Sequence, residues 1–269
     1  MDPLIPYTRE AGSGETLICL HSNASSSGQW RDLMASLSPH FRVVAPDLLG
    51  AGRSPPWPAD APRTLASELA LLAPVLACAG EHFHLVGHSY GAALAVRVAL
   101  NAPHRVASLV LFEPTLFVLL DEEEPGSKAA AGIRQAAAAA AAAVARDDLD
   151  GAGRAFIDFW LGAGAWDAMP EQRRAPVAAS MRPVSHWADA LFAESTRLHD
   201  LAALRLPVLL LGGSTSPPAA SEVLRLLRHA WPQAQSLIFS GVGHMGPVTH
   251  GDLVNPEIRR FLLARRSAG

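Results

Sequence analysis

Residues 87–91 read Gly-His-Ser-Tyr-Gly and lie between an apolar run, Phe83-His84-Leu85-Val86, and a helix-forming one, Ala92-Ala93-Leu94-Ala95-Val96. A Gly-x-Ser-x-Gly in that setting prescribes a strand, a sharp turn and a helix. The two glycines let backbone close around the turn, and the Ser89 hydroxyl is driven out of the sheet with a helix N-terminus behind it. The pattern alone arises by chance in about one chain in ten of this length. The strand before it and the helix after it are what make Ser89 a candidate nucleophile.

Short apolar runs alternate with longer helical patterns on both sides of this turn. Thr16–His21, Phe41–Pro46, Glu81–His88 and Val106–Glu113 read as strands; Gln29–Leu37, Thr64–Ala79 (despite Pro74) and Tyr90–Asn101 read as helices. The alternation resumes with a strand at Pro207–Gly212, a helix at Pro218–Ala230, a strand at Ser236–Phe239 and a helix at Asp252–Arg265. Such βαβα order implies an α/β fold, a mostly parallel sheet with helices on both faces. Between Glu113 and Leu206 the alternation stops, and the chain reads as helices: an alanine tract at Ala136–Ala143 and amphipathic segments around Gly153–Leu161 and Met181–Leu198. The organisation expected is a core of residues 1–114 and 204–269 with a helical lid of residues 115–203. Inserted after a strand, these helices would cover the carboxyl edge of the sheet, where open α/β sheets bind ligands. Trp160, Trp166, Trp187, Phe156 and Phe192 would supply its apolar wall or its core.

Composition narrows the function classes. A net charge of −3 with 17% charged residues carries no electrostatic footprint for nucleic acid, and 49% hydrophobic residues argue against disorder. The segment Met1-Asp2-Pro3-Leu4-Ile5-Pro6 lacks a basic stretch followed by a long apolar one, and no run approaches the ~18 apolar residues that span a bilayer. The expectation is a cytoplasmic protein whose partner is a small molecule, with neither nucleic acid nor membrane involved. Cys19, in a strand, and Cys78, in a helix, have no pairing pattern and read as reduced, buried packing residues. No His/Cys/Asp/Glu cluster has metal-ligand spacing, and Gly50-Ala51-Gly52-Arg53-Ser54 lacks a phosphate-binding lysine, so no metal or cofactor is expected.

A serine hydroxyl needs a base. Of eleven histidines, His244 is the best placed: it lies in Gly241-Val242-Gly243-His244-Met245-Gly246-Pro247, just after the last strand, on a loop at the same sheet edge as Ser89. His21, His84 and His88 lie in or beside strands and read as structural.

Several ordered motifs together resemble those of α/β-hydrolase-fold serine hydrolases: Leu20-His21-Ser22-Asn23, Asp47-Leu48-Leu49-Gly50-Ala51-Gly52-Arg53-Ser54, Gly87–Gly91 and Gly243-His244. The resemblance covers nearly the whole chain. It implies an oxyanion hole of two backbone N–H groups, those of Tyr90 and Asn23, with Ser22 standing where the family usually has glycine. It also implies an acid to orient His244. Members commonly carry that acid after the strand matching Pro207–Gly212, but here the loop reads Gly213-Ser214-Thr215-Ser216-Pro217, with no carboxylate. Some members, including certain haloalkane dehalogenases, take it from the strand end occupied here by Glu113, which is therefore the expected acid. Asp200 and Asp189 are weaker candidates, and Asp47 reads as structural. The segment 21–31 is also similar to the halide-holding loop of haloalkane dehalogenases, yet those enzymes use an aspartate nucleophile where this chain has Ser89. The resemblance thus implies ester hydrolysis through an acyl-enzyme on Ser89, and the alanine-rich apolar lid favours small, mostly apolar carboxylic esters. A cofactor-free acyltransferase, a perhydrolase or a carbon–carbon hydrolase on the same site remains open, as does a noncatalytic small-molecule receptor. Oligomeric state is left open.

Overall fold

The computed structural model describes residues 4–266. Seven strands, β1 (Thr8–Ala11), β2 (Thr16–Leu20), β3 (Arg42–Pro46), β4 (Phe83–His88), β5 (Val106–Phe112), β6 (Val208–Gly213) and β7 (Gln235–Phe239), form one sheet in the order β1-β3-β2-β4-β5-β6-β7. All neighbours are parallel except β1, which runs antiparallel to β3 and pairs Thr8 with Pro46. The expected α/β architecture is therefore the observed one. The edge strand β1 goes beyond the sequence reading: four residues, Thr-Arg-Glu-Ala, carry too little apolar alternation to announce a strand, and only the pairing with β3 makes them one.

Every residue of β2, β4 and β6 is buried, as strands covered on both faces must be. Alternate side chains feed two layers: Leu17 and Cys19 of β2 pack in one cluster, Ile18 and Leu20 in the other. Helices α1 (Arg31–Leu37), α2 (Leu65–Ala77) and α3 (Tyr90–Asn101) follow β2, β3 and β4. Between β5 and β6 lie α4 (Val118–Glu123), α5 (Lys128–Ala145), α6 (Leu149–Leu161), α7 (Ala165–Ala168), α8 (Glu171–Ala179), α9 (Met181–Phe192) and α10 (Leu198–Ala202). The chain closes with α11 (Pro218–Ala230), α12 (Gly246–Thr249) and α13 (Gly251–Leu263). Leu33 and Leu37 of α1 and Val254 and Ile258 of α13 cover one face; α2, α3, α11 and residues of the α4–α10 segment cover the other.

The amphipathic segment at 181–198 is not one helix. It ends at Phe192 because Glu194 draws the Ser195 and Thr196 N–H groups and the Thr196 hydroxyl onto its Oε1, and it restarts at Leu198. Cys19 is buried as expected, and burial pushes its thiol up. Cys78 corrects the reading of two buried thiols: it caps α2 at the C-terminal end and is exposed. No helix among the described residues is long and apolar enough to cross a membrane.

Candidate active site

Ser89 stands at the junction of β4 and α3 with φ 56° and ψ −117°, a conformation that costs a non-glycine residue about 1–3 kcal/mol. Packing enforces it. A Cβ on Gly91 would sit 2.5 Å from the His21 carbonyl oxygen and closer still to that of Leu20, and one on Gly87 would lie 2.5 Å from Ala92 Cα. Only residues without side chains let α3 come this close to β2 and to its own turn. The Ser89 N–H extends the β4–β5 ladder to the Phe112 carbonyl at 2.9 Å, and its carbonyl accepts from Ala92 and Ala93. The strain is therefore held by bonds on both sides.

His244 lies after β7, and its Nε2 is 2.9 Å from Ser89 Oγ. Its Nδ1 is 2.6 Å from Glu113 Oε2. Glu113 follows β5 with φ 44°, anchored by its N–H to the Leu211 carbonyl at 2.9 Å. Its other oxygen, Oε1, accepts from the Gly213 N–H and from the Ser216 hydroxyl, each at 2.6 Å. The last residue of β6 and the loop after it, which carries no carboxylate of its own, thus each supply one donor to the carboxylate on the neighbouring strand end. With both donors on Oε1, the Glu113 oxygen facing His244 is an acceptor, so Nδ1 carries the imidazole proton and Nε2 is free to accept from Ser89. Ser89, His244 and Glu113 are 4%, 3% and 1% exposed, so this chain of hydrogen bonds is shielded from water.

Three further histidines hold the frame, as their strand positions suggested. His88 Nε2–H donates to the His244 carbonyl at 2.8 Å and fixes the loop bearing the imidazole, while burial holds its own basicity well below normal. His21 Nε2 accepts from the Leu48 N–H at 3.0 Å, so its Nδ1–H donates to the Ser22 carbonyl; burial lowers it to about 4, keeping it neutral. His84 meets the Ser108 hydroxyl at 2.7 Å. Asp47 is likewise structural: its carboxylate accepts from the Ser27 and Arg53 N–H groups. Asp189 pairs with Arg63 and Asp200 takes the Arg197 N–H, so both are engaged elsewhere.

Tyr90 is the first residue of α3. Asn23 lies in the loop after β2, where the Ser22 N–H and hydroxyl both donate to Gln29 Oε1. Ser22 keeps a negative φ; the left-handed residue of this loop is Ala24, at φ 52°. The substitution for glycine therefore ties the loop down without straining it.

Two features went unseen in the sequence reading. Glu68 of α2 is fully buried beneath the elbow and accepts from the Leu49 N–H at 3.1 Å, the Tyr90 hydroxyl at 3.3 Å and Trp187 Nε1 at 3.1 Å. Burial outweighs these donors and pushes its carboxyl up to about 8. The other is the position of Trp160, whose indole stacks on the His244 ring with centroids 3.8 Å apart and planes at 22°. Beside it a cavity of about 260 Å³ runs between α5, α6 and α9, its wall including Asn23, Thr115, Phe117 and Trp160. Phe156 and Phe192 line it too, whereas Trp166 and Trp187 are buried in packing. Among the described residues there is no group of three or more His, Cys, Asp or Glu placed to hold a metal.

A family model described as alpha/beta hydrolase fold matches residues 15–251. A pimeloyl-[acyl-carrier protein] methyl ester esterase from Yersinia pseudotuberculosis is 26% identical over 249 residues, covering 91% of this chain and 92% of that one. The dihydrolipoyllysine-residue acetyltransferase component of the acetoin cleaving system of Cupriavidus necator is 35% identical over 114 residues, but the match spans only 42% of this chain and 30% of that protein. Among solved structures, a thermophilic esterase from Thermogutta terrifontis superposes with a TM-score of 0.73 at 24% identity, covering 97% of this chain and 94% of that one. A hydrolase from Oleispira antarctica gives 0.75 at 16% identity, covering 96% and 94%. With a family match running from before β2 to the start of α13, and with strand order and elbow in agreement, the chain belongs to the α/β-hydrolase fold family.

Proposed function

We propose that the protein is a serine hydrolase that cleaves small, mostly apolar carboxylic esters through an acyl-enzyme on Ser89. The observation that carries this reading is the continuous hydrogen-bond relay from Ser89 Oγ through His244 to Glu113, built on a strained elbow beside an apolar cavity. The methyl ester esterases that align along nearly the full chain support the ester class.

In this mechanism His244 Nε2 takes the Ser89 proton as Oγ bonds to the ester carbonyl carbon, and the carbonyl oxygen becomes an oxyanion held by the Tyr90 and Asn23 N–H groups. Collapse breaks the bond to the alcohol oxygen, which receives the proton from His244 Nε2. Water then repeats the sequence: it loses a proton to His244, attacks the acyl carbon, and the returning proton frees Ser89. Glu113 holds the Nδ1–H throughout and balances the charge of the imidazolium. Two donors on its far oxygen keep it aimed.

Residues 115–203 act as a cap over a core of residues 1–114 and 204–269, since α5, α6 and α9 wall the cavity and Trp160 reaches down onto His244. Steady-state hydrolysis of short-chain esters by the wild type, lost in Ser89→Ala at unchanged thermal stability, is the test. Retained activity in that variant sinks the reading.

A further inference from the structure

We infer that Trp160 divides the site into two unequal compartments and limits the alcohol half of the substrate to a small group, while the acyl half occupies the 260 Å³ cavity. The inference rests on the ester-hydrolase reading above. Trp160 has His244 against its ring and forms part of the cavity wall, whereas neither Ser89 nor His244 lines that cavity. The indole stands between the imidazole and the open space.

Proton transfer decides which half of the ester lies on which side. The leaving oxygen must take its proton from His244 Nε2, so the alcohol has to lie against the imidazole. The indole covers one face of that imidazole at 3.8 Å, so a chain attached to the oxygen at the Nε2 edge is confined beside the indole. The indole is also wedged from behind: Phe159 meets it edge-on at 5.1 Å, and Phe117 and Phe156 lie within 6.4 Å. Moving it aside to fit a longer alcohol would disturb four packed rings.

The acyl side is open by comparison. Asn23, in the oxyanion loop, and Thr115, whose N–H reaches the Ser89 carbonyl, both line the cavity, so its floor begins next to the elbow. Ile133, Phe117 and Phe156 make its walls apolar. An engineered protein cavity of about 150 Å³ accepts benzene, so 260 Å³ holds a medium-length or aryl acyl group. The substrate class is thus a small-alcohol ester, of the methyl or ethyl kind, of a medium-chain or aryl carboxylic acid.

The test is a two-way ester panel: hexanoates of methyl, ethyl, butyl and benzyl alcohol, and methyl esters from acetyl to decanoyl, with Ser89→Ala as background. In the wild type kcat/KM falls at least about tenfold from methyl to benzyl hexanoate, and rises from acetyl to hexanoyl. Trp160→Ala flattens the alcohol dependence and keeps the rise with acyl length; Trp160→Phe, which preserves an aromatic plug, falls between the two and serves if the alanine variant fails to fold. An alcohol profile in both folded variants identical to that of the wild type overturns the inference while leaving ester hydrolysis intact. So does a wild type that discriminates acyl length but not alcohol size. Absence of turnover on every ester in a folded wild type overturns both this inference and the reading on which it rests.

Discussion

Glu113 Oε2 lies 2.6 Å from His244 Nδ1 although 131 residues separate them, and the carboxylate is braced from behind by the end of β6 and the loop after it. Glu113 and its two donors sit at adjacent strand ends: the carboxylate just after β5, the Gly213 N–H at the end of β6 and the Ser216 hydroxyl in the loop that follows. The imidazole proton then stays on Nδ1, the tautomer that leaves Nε2 free to act as base.

Glu113→Gln tests that arrangement. An amide places a donor or a weaker acceptor against Nδ1–H and no longer favours the working tautomer, so kcat should fall by about 10²–10⁴ with the thermal midpoint shifted little. Steady-state kinetics beside a melting curve decide it; an unchanged kcat would exclude Glu113 as the acid.

Ser216→Ala removes one of the two donors on Glu113 Oε1. Hydrogen bonds to charged groups are worth about 1.5–3 kcal/mol, so kcat/KM should drop roughly tenfold or more with the fold intact. A rate equal to that of the wild type would mean that the Gly213 N–H alone suffices to hold the carboxylate.

Gly91→Ala should cost more than a glycine-to-alanine change in an ordinary helix, where alanine is favoured by about 1 kcal/mol. The added methyl would meet the carbonyl oxygens of Leu20, the last residue of β2, and of His21, the next residue. Urea unfolding should show a loss of stability together with a loss of activity; a stabilised, active variant would contradict the close approach of α3 to β2.

How much of this was legible in the sequence follows from how local each signal is. The turn at Gly87–Gly91 and the alternation of apolar runs with helical patterns are written in neighbouring residues, so the elbow, the sheet and the position of His244 at its edge could be read directly. Glu113 needed the resemblance, since nothing local marks a strand-end glutamate as the partner of a distant histidine. Glu68 could not be read at all: within α2 it resembles a solvent-facing residue, and its burial arises from the Leu49 N–H, the Tyr90 hydroxyl and the Trp187 indole, drawn together from three other parts of the chain. Trp160 read as a wall or packing residue, and its stacking on His244 depends on where α6 lands over the sheet. Cys78 was misplaced because a helical position near the end of α2 does not say which way the cap faces.

Glu68 makes stability depend on pH. Its folded value of about 8 lies above the unfolded one of 4.5, so across that window the folded chain keeps a proton the unfolded chain has lost. Its contribution to stability is therefore greatest below pH 4.5, declines as pH rises through the window and levels off above 8. At about 1.4 kcal/mol per pH unit the change amounts to a few kcal/mol. Glu68→Gln, which cannot ionise, should gain on the wild type as pH is raised from 5 to 8.5, measured by urea unfolding at each pH. Parallel stability curves for the two proteins would show that Glu68 does not titrate in that range.

The most direct test of the central claim is the intact mass of the protein after exposure to a small fluorophosphonate, comparing wild type, Ser89→Ala and His244→Ala. The account predicts one adduct per wild-type chain, none on Ser89→Ala, and slow or absent labelling of His244→Ala. Labelling of Ser89→Ala to the wild-type extent, or a folded wild type that takes no adduct, would contradict an activated serine at this elbow.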